Sequence, residues 1–223
     1  MTKKLLILSG PTHEYFDPVR FVGNASSGLM GKALAEEAAE RGYFVDVVSG
    51  PVPALNLPRL GAAGRIHNVV AAADMLECAA RLFPAADAVI FAAAVADYAP
   101  VERSAEKMPK LNDELVLHLR PTPDIAKTLG EVKKTGQITI GFALQTSDGE
   151  RHAARKLREK KLDGIVLNTP ASLGADTGSF RFLTAGAQIF DDWGCIEKSE
   201  CAKRILDSVE RLSHCQCSTE EKP

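Results

Sequence analysis

Asn24, Ser26, Ser27 and Gly28 stand together in FVGNASSGLMGKALAEEAAERG, residues 21–42, where a loop of small polar residues gives way to a helical pattern. Serine is a good N-cap, glycine lets a ligand approach the backbone, and the free N–H groups of a helix start attract anions. The chemistry on offer is the handling of phosphate or carboxylate. Two lysines, Lys107 and Lys110, flank Met108-Pro109 in the long polar stretch 95–113. Lys156 and Lys160 are spaced i, i+4 and share one helix face. A solvated face explains that pair just as simply, and spacing alone favours it.

These residues need elements to position them. Apolar positions 29, 30, 33, 34 and 38 predict a helix over about 27–41, stopped by Gly42. Residues 4–9, 43–49 and 87–94 read as strands, with 66–70 a weaker one and 71–83 helical. This β-α-β-α-β alternation predicts a parallel sheet with helices on both faces, its strands near-continuous apolar runs. Further on, 115–119, 137–143 and 162–167 read as strands. Helices are expected over 124–133 (Thr122 as cap), 148–160 and 199–212, with a hairpin pairing 180–183 with 187–190 across Thr184-Ala185-Gly186. The loops 10–28 and 95–113 are long for a compact domain, which marks them as functional or disordered.

Composition narrows the field. A chain of 223 residues, 45% hydrophobic and 25% charged, suits one globular domain, here 1–212 with a mobile tail over 213–223. A net charge of −2 gives no nucleic-acid surface. The first apolar run meets Gly10-Pro11 at once, too short for a signal peptide, and 88–96 is too short to span a bilayer. A cytoplasmic protein with no membrane partner is expected. Five scattered cysteines argue against a disulfide framework. Cys215-x-Cys217 beside His214 has no second ligand pair at zinc spacing, and a tail is the simpler reading.

Ligands of open α/β sheets bind at the carboxyl ends of the strands, which singles out the 10–28 loop, 92–97, 98–113 and 142–146. A dinucleotide site would need G-x-G-x-x-G after the first strand and an acid at the end of the second. Here Gly10-Pro11-Thr12-His13-Glu14 follows the first strand, only Gly28-x-x-Gly31 survives, and the second ends in Ser49-Gly50.

GPTHEYFDPVRFVGNASSGLMG (10–31), VVSGPV (47–52), AAAVADY (92–98), EKMPK (106–110), PTPDI (121–125), GFALQT (141–146) and RKLREKKLDGIVLN (155–168) follow in order along the chain. Together they resemble phosphopantothenoylcysteine synthetase, the phosphopantothenate–cysteine ligase, in a stand-alone form without the decarboxylase domain fused to it in many bacteria. The resemblance implies a Rossmann-like doubly wound, mostly parallel sheet and a step of coenzyme A biosynthesis. A nucleoside triphosphate, usually CTP in bacteria, activates the carboxylate of 4'-phosphopantothenate as an acyl-nucleotidylate, with Mg²⁺. The amine of cysteine then displaces the nucleoside monophosphate.

By the same resemblance Asn24 holds the acyl-nucleotidylate, Arg20 pairs with an anionic group, and Lys107 sits in a flap over the triphosphate. Asp97 meets the nucleotide or its Mg²⁺. Ala92 and Ala93 offer backbone groups to the base, and Phe142 packs by it. Gly10, Ser26, Ser27, Gly28, Pro123 and Asp124 join the nucleotide site, and Lys156 and Lys160 fall on two nucleotide-binding lysines. Relatives are homodimers that share their sites across the interface, with the 180–190 hairpin the expected dimer element, and a separate decarboxylase is an expected partner. Four positions depart from the pattern: Gln145 for a common glutamate, Arg120-Pro121-Thr122 for Lys-Asn before the Pro-Asp, Pro109 within the basic flap run, and Thr169 after Asn168. They bear on nucleotide choice, CTP or ATP, more than on reaction class. The alternatives are a nicotinamide-dependent reductase and a silent binding subunit of a decarboxylase.

Overall fold

The computed structural model describes residues 2–110, 114–145 and 147–219, with side chains to residue 214. Six parallel strands form its centre: β1 (Lys4–Ser9), β4 (Phe44–Ser49), β5 (Gly64–Asn68), β6 (Ala88–Phe91), β9 (Ile138–Leu144) and β10 (Gly164–Asn168). They lie in the order β5-β4-β1-β6-β9-β10, the 3-2-1-4-5-6 arrangement of a doubly wound sheet. β11 (Thr177–Thr184) and β12 (Asp191–Glu197) extend the β10 edge antiparallel. Two small antiparallel pairs stand apart from the sheet: β2 (His13–Tyr15) with β3 (Phe21–Gly23), and β7 (Tyr98–Pro100) with β8 (Leu119–Pro121).

Alternate side chains of the strands feed two cores. Leu5 and Ile7 join the core under α1 (Leu29–Glu40) and α5 (Lys198–Thr219), with Leu34, Ala35, Ala38, Ile205 and Leu206. Leu6 and Leu8 join the other, under α2 (Ala72–Leu82), α3 (Ile125–Glu131) and α4 (Gly149–Glu159), with Met75, Ile125, Leu129, Ala153 and Leu157. A strand buried on both faces cannot alternate polar with apolar, which is why KLLILS reads as one run. Each fully buried leucine contributes about 1.5–3 kcal/mol relative to exposure.

The expected elements are present, with five corrections. The helix over 27–41 begins at Leu29, and Gly28, not a serine, takes the cap position with φ +76° and no side-chain cap. Asp124, not Thr122, caps α3, its carboxylate accepting from Lys127 N. The strand expected over 115–119 is β8, reaching only Leu119 to Pro121. The hairpin exists, but 187–190 belongs to its turn, because β11 runs on to Thr184 and β12 starts at Asp191. The closing helix continues to Thr219, so the tail expected from residue 213 begins as helix. Residues 220–223 and the side chains of Cys215 and Cys217 lie outside the described residues. No helix among the described residues is long and apolar enough to cross a membrane.

Candidate functional site

A cavity of about 740 Å³ opens at the carboxyl ends of β1, β6 and β9, where the winding of the sheet reverses between β1 and β6. Backbone bonds extend the β1–β6 pairing past the strands: Ala92 N donates to Leu8 O and Ala94 N to Gly10 O, each at 2.9 Å. This extension carries the chain of small residues 92–96 along the cavity wall. Ala96 N donates to the buried Thr12 Oγ1 at 2.9 Å, and Thr122 N to Asp97 O at 3.0 Å, fixing the turn that delivers Asp97. The Asp97 side chain is exposed and lines the cavity, with no hydrogen bond to the described residues.

Opposite stands the start of α1. Asn24 reaches across to donate from Nδ2 to Val95 O at 2.8 Å, which ties the 24–28 loop to the 92–97 wall. Ser26, Ser27 and Gly28 line the same space. Glycine is required at 28 twice over: φ is +76°, and a Cβ there would stand 2.8 Å from Val52 Cγ1. Gly10 adopts φ +75° under the same valine and shapes the turn after β1, outside the cavity lining.

The third wall is α4. Ala153 and Leu157 pack into the core, and that seating turns Lys156 and Lys160 to the cavity. The solvated-face reading of this pair is therefore wrong: both side chains line the site. Lys156 Nζ donates to Phe142 O at 3.0 Å, and Lys160 Nζ pairs with Asp124 Oδ1 at 2.8 Å. Burial, reinforced by the neighbouring Lys160 charge, pulls the Lys156 ammonium down to about 8 against weaker support from Asp124 and Asp97. Burial would raise the Asp124 carboxyl, but Lys160 and the N–H of Lys127 outweigh it and hold it low. Pro123, Asp124, Phe142, Ala92 and Ala93 all line the cavity.

Arg20 and Lys107 do not. Arg20 bonds Asp17 from Nε and Nη2 and also donates to Met108 O at 2.7 Å. Burial of Asp17 would raise its carboxyl, but Arg20 and the N–H groups of Val19, Arg20 and Met108 hold it far below the usual range. Lys107 is exposed beside this clamp, with no side-chain partner among the described residues. Thr146, the last residue of the 142–146 cluster, lies outside the described residues.

The sequence reading missed a lobe of the cavity lined by Asn168, Ser172, Leu173, Gly174, Phe180 and Lys198. Lys198 Nζ, its ammonium made less basic by burial, donates to the carbonyls of Ser172 and Ala175 and pins that loop. Ser172 Oγ spends its proton on Thr169 O at 2.8 Å, so it accepts from Asn168 Nδ2 at 2.9 Å. Asn168 Oδ1 is left buried without a donor, a costly arrangement that a ligand N–H or O–H would relieve. Asn168 closes the motif RKLREKKLDGIVLN, but only the three-dimensional loop reveals its unsatisfied oxygen. No cluster of three or more His, Cys, Asp or Glu able to hold a metal occurs among the described residues. Cys78, Cys195 and Cys201 are free.

Fold and site thus define a doubly wound α/β domain with a lysine-lined crevice at its switch point. Residues 1–212 match the family described as the DNA/pantothenate metabolism flavoprotein C-terminal domain, and the chain belongs to that family. It is 46% identical over 177 residues to a coenzyme A biosynthesis bifunctional protein, CoaBC, of Bacillus subtilis (strain 168), covering 79% of this chain and 43% of the relative. It is 40% identical over 216 residues to a cysteine/cysteine sulfinic acid decarboxylase of an unknown prokaryotic organism, covering 95% of this chain and 59% of that protein. The chain therefore spans about half the length of these curated relatives. The crystal structure of a CoaBC C-terminal domain superposes with a TM-score of 0.79 at 38% identity, covering 94% of this chain and 95% of that one. The resemblance read from the motifs and the doubly wound fold both hold.

Proposed function

We propose that this domain joins 4'-phosphopantothenate to L-cysteine, with CTP favoured over ATP as the activating nucleotide. The observation that supports it most is one cavity lined by Asn24, the start of α1, Asp97 and the Lys156–Lys160 pair, in a chain similar to the coenzyme A biosynthesis protein of Bacillus subtilis. A carboxylate is a poor electrophile, so its oxygen attacks the α-phosphorus of the nucleotide and pyrophosphate leaves. The cysteine amine then attacks the acyl carbon, loses a proton, and the nucleoside monophosphate departs.

Each residue has a physical task in this scheme. The α1 N-terminus, Lys156 and Lys160 offset the charge of the polyphosphate. Asn24 both donates and accepts, so it grips the mixed anhydride without adding charge. Lys107, exposed and without a side-chain partner among the described residues, is free to reach the transferring phosphorus. Asp97 is a single carboxylate with no hydrogen bond to the described residues, which suits an Mg²⁺ ion that takes its other oxygens from phosphates and water. Bound there, Mg²⁺ would neutralise developing charge on the phosphates.

A homodimer and a cytoplasmic location belong to the same proposal, as does a decarboxylase partner. Exposed Val19, Phe21, Tyr98, Val101 and Leu119 lie on or beside the two small sheets. We place the second copy there rather than on the β11–β12 hairpin. The nicotinamide alternative lacks both the glycine fingerprint and an acid at the end of β4.

The test is product formation. Purified protein with phosphopantothenate, cysteine, Mg²⁺ and CTP should yield phosphopantothenoylcysteine by mass spectrometry, with ATP slower. No amide with either nucleotide would overturn the reading.

A further inference from the structure

We infer that Asp17 is a positioning residue for Lys107, clamping the chain beside it from the β2–β3 hairpin; its activity arm rests on the ligase reading above. Among the described residues between Asp97 and Arg120, none is buried, so the core does not hold this stretch. What holds it is polar. The Asp17 side chain is fully buried at 0% exposure. Its Oδ1 accepts from Val19 N and Arg20 N at 2.8 Å each, and its Oδ2 from Arg20 Nε at 2.8 Å and Met108 N at 3.2 Å. Arg20 Nη2 returns a bond to Met108 O at 2.7 Å. Both backbone groups of Met108 are therefore held by one ion pair whose carboxylate is buried.

A second tie lies four residues before Met108. Ser104 N donates to Phe16 O at 2.9 Å, and Ser104 Oγ to Glu106 O at 2.7 Å. The Arg103 guanidinium sits over the Tyr15 ring, 5.7 Å from its centroid. Lys107 lies between these ties with its backbone set and its ammonium exposed. The Asp17 carboxylate is saturated with donors, so it has no lone pair to spare as a metal ligand or base. Its task is mechanical, and Arg20 serves it.

Asp17→Asn is nearly isosteric, but it removes the charge and replaces one acceptor oxygen by an amide NH2 donor. In the full-length protein without ligand, trypsin cleavage after Lys107 should accelerate about 10–100-fold, the loss of a charge-assisted bond set. Cleavage after Lys203 on α5 serves as the internal control. Arg20→Lys should give a smaller acceleration, since it keeps charge but loses the fork. In turnover, Asp17→Asn should lower kcat for pyrophosphate release while the nucleotide KM moves less than threefold.

Unchanged cleavage after Lys107 in a folded variant would overturn the clamp. Accelerated cleavage with unchanged kcat would overturn the positioning role. Should Asp17→Asn fail to fold, amide hydrogen exchange on the unsubstituted protein decides: Met108 N–H is expected to be protected, and exchange at the rate of open coil would sink the inference. Proteolysis and exchange need no activity. A protein that makes no amide but passes them defeats the ligase reading and leaves the clamp standing.

Discussion

The cavity and the segment that carries Lys107 outside it are held by different forces. The wall formed by α1, 92–97 and α4 rides on the buried sheet: Leu34, Ala35, Ala153 and Leu157 seat the helices that carry Gly28 and Lys156. The segment that carries Lys107 has no buried residue between Asp97 and Arg120 among those described, and hangs on the Asp17–Arg20–Met108 clamp. Hydrophobic burial is non-directional and fixes whole elements, whereas a charge-assisted network fixes one stretch of backbone at one spot.

Lys107→Gln should cut pyrophosphate release about 10²–10³-fold, the scale of losing one preorganised charge contact, while thermal stability stays unchanged. Asn24→Asp should still bind nucleotide but impair conversion of the acyl-nucleotidylate, visible as pyrophosphate release without matching amide. Leu34→Ala should do the reverse of Lys107→Gln, lowering stability by about 2–5 kcal/mol in denaturant melts while trypsin cleavage after Lys107 keeps its rate. Gly28→Ala combines both faults, because it forces a side chain into positive φ against Val52 and should cost about 1–3 kcal/mol.

The smallest effect is a proton. Free Lys156 loses its charge near pH 8, whereas bound phosphate favours the ammonium. Nucleotide binding above that pH must then take up a proton, and affinity should fall by up to about tenfold per pH unit. Calorimetry in buffers of different ionisation heat reads this, and Lys156→Met should abolish it. The same lowered pKa makes stability rise between about 8 and the ordinary 10.5, since there the unfolded chain holds the proton that the folded chain has lost.

The sheet-borne wall was the legible one. Apolar runs such as LLIL and the period of 29, 30, 33, 34 and 38 report burial directly, so the parallel core could be read before any coordinate. The clamped side was not. β2, β3 and β7 are three-residue strands with no room for a period, and they sit in segments that read as loop. The Asp17–Met108 contact spans 91 positions, and nothing in the composition of either segment announces it. Arg20 was expected at an anion, and the anion the structure gives it is Asp17. The hairpin was misplaced because Ala187 to Phe190 alternates by chance inside a turn, while β12 carries the polar pattern of an edge. Lys156 and Lys160 were ambiguous by spacing, since only the seating of Ala153 and Leu157 decides which way α4 faces.

The central claim is that this cavity activates a carboxylate with a nucleotide, and pyrophosphate release measures it most directly. CTP and ATP should be run in parallel, each with and without phosphopantothenate and with and without cysteine. The account predicts release that requires phosphopantothenate, is faster with CTP, and reaches steady turnover only when cysteine is present. Folded protein that releases no pyrophosphate with either nucleotide, or releases it without phosphopantothenate, would contradict it.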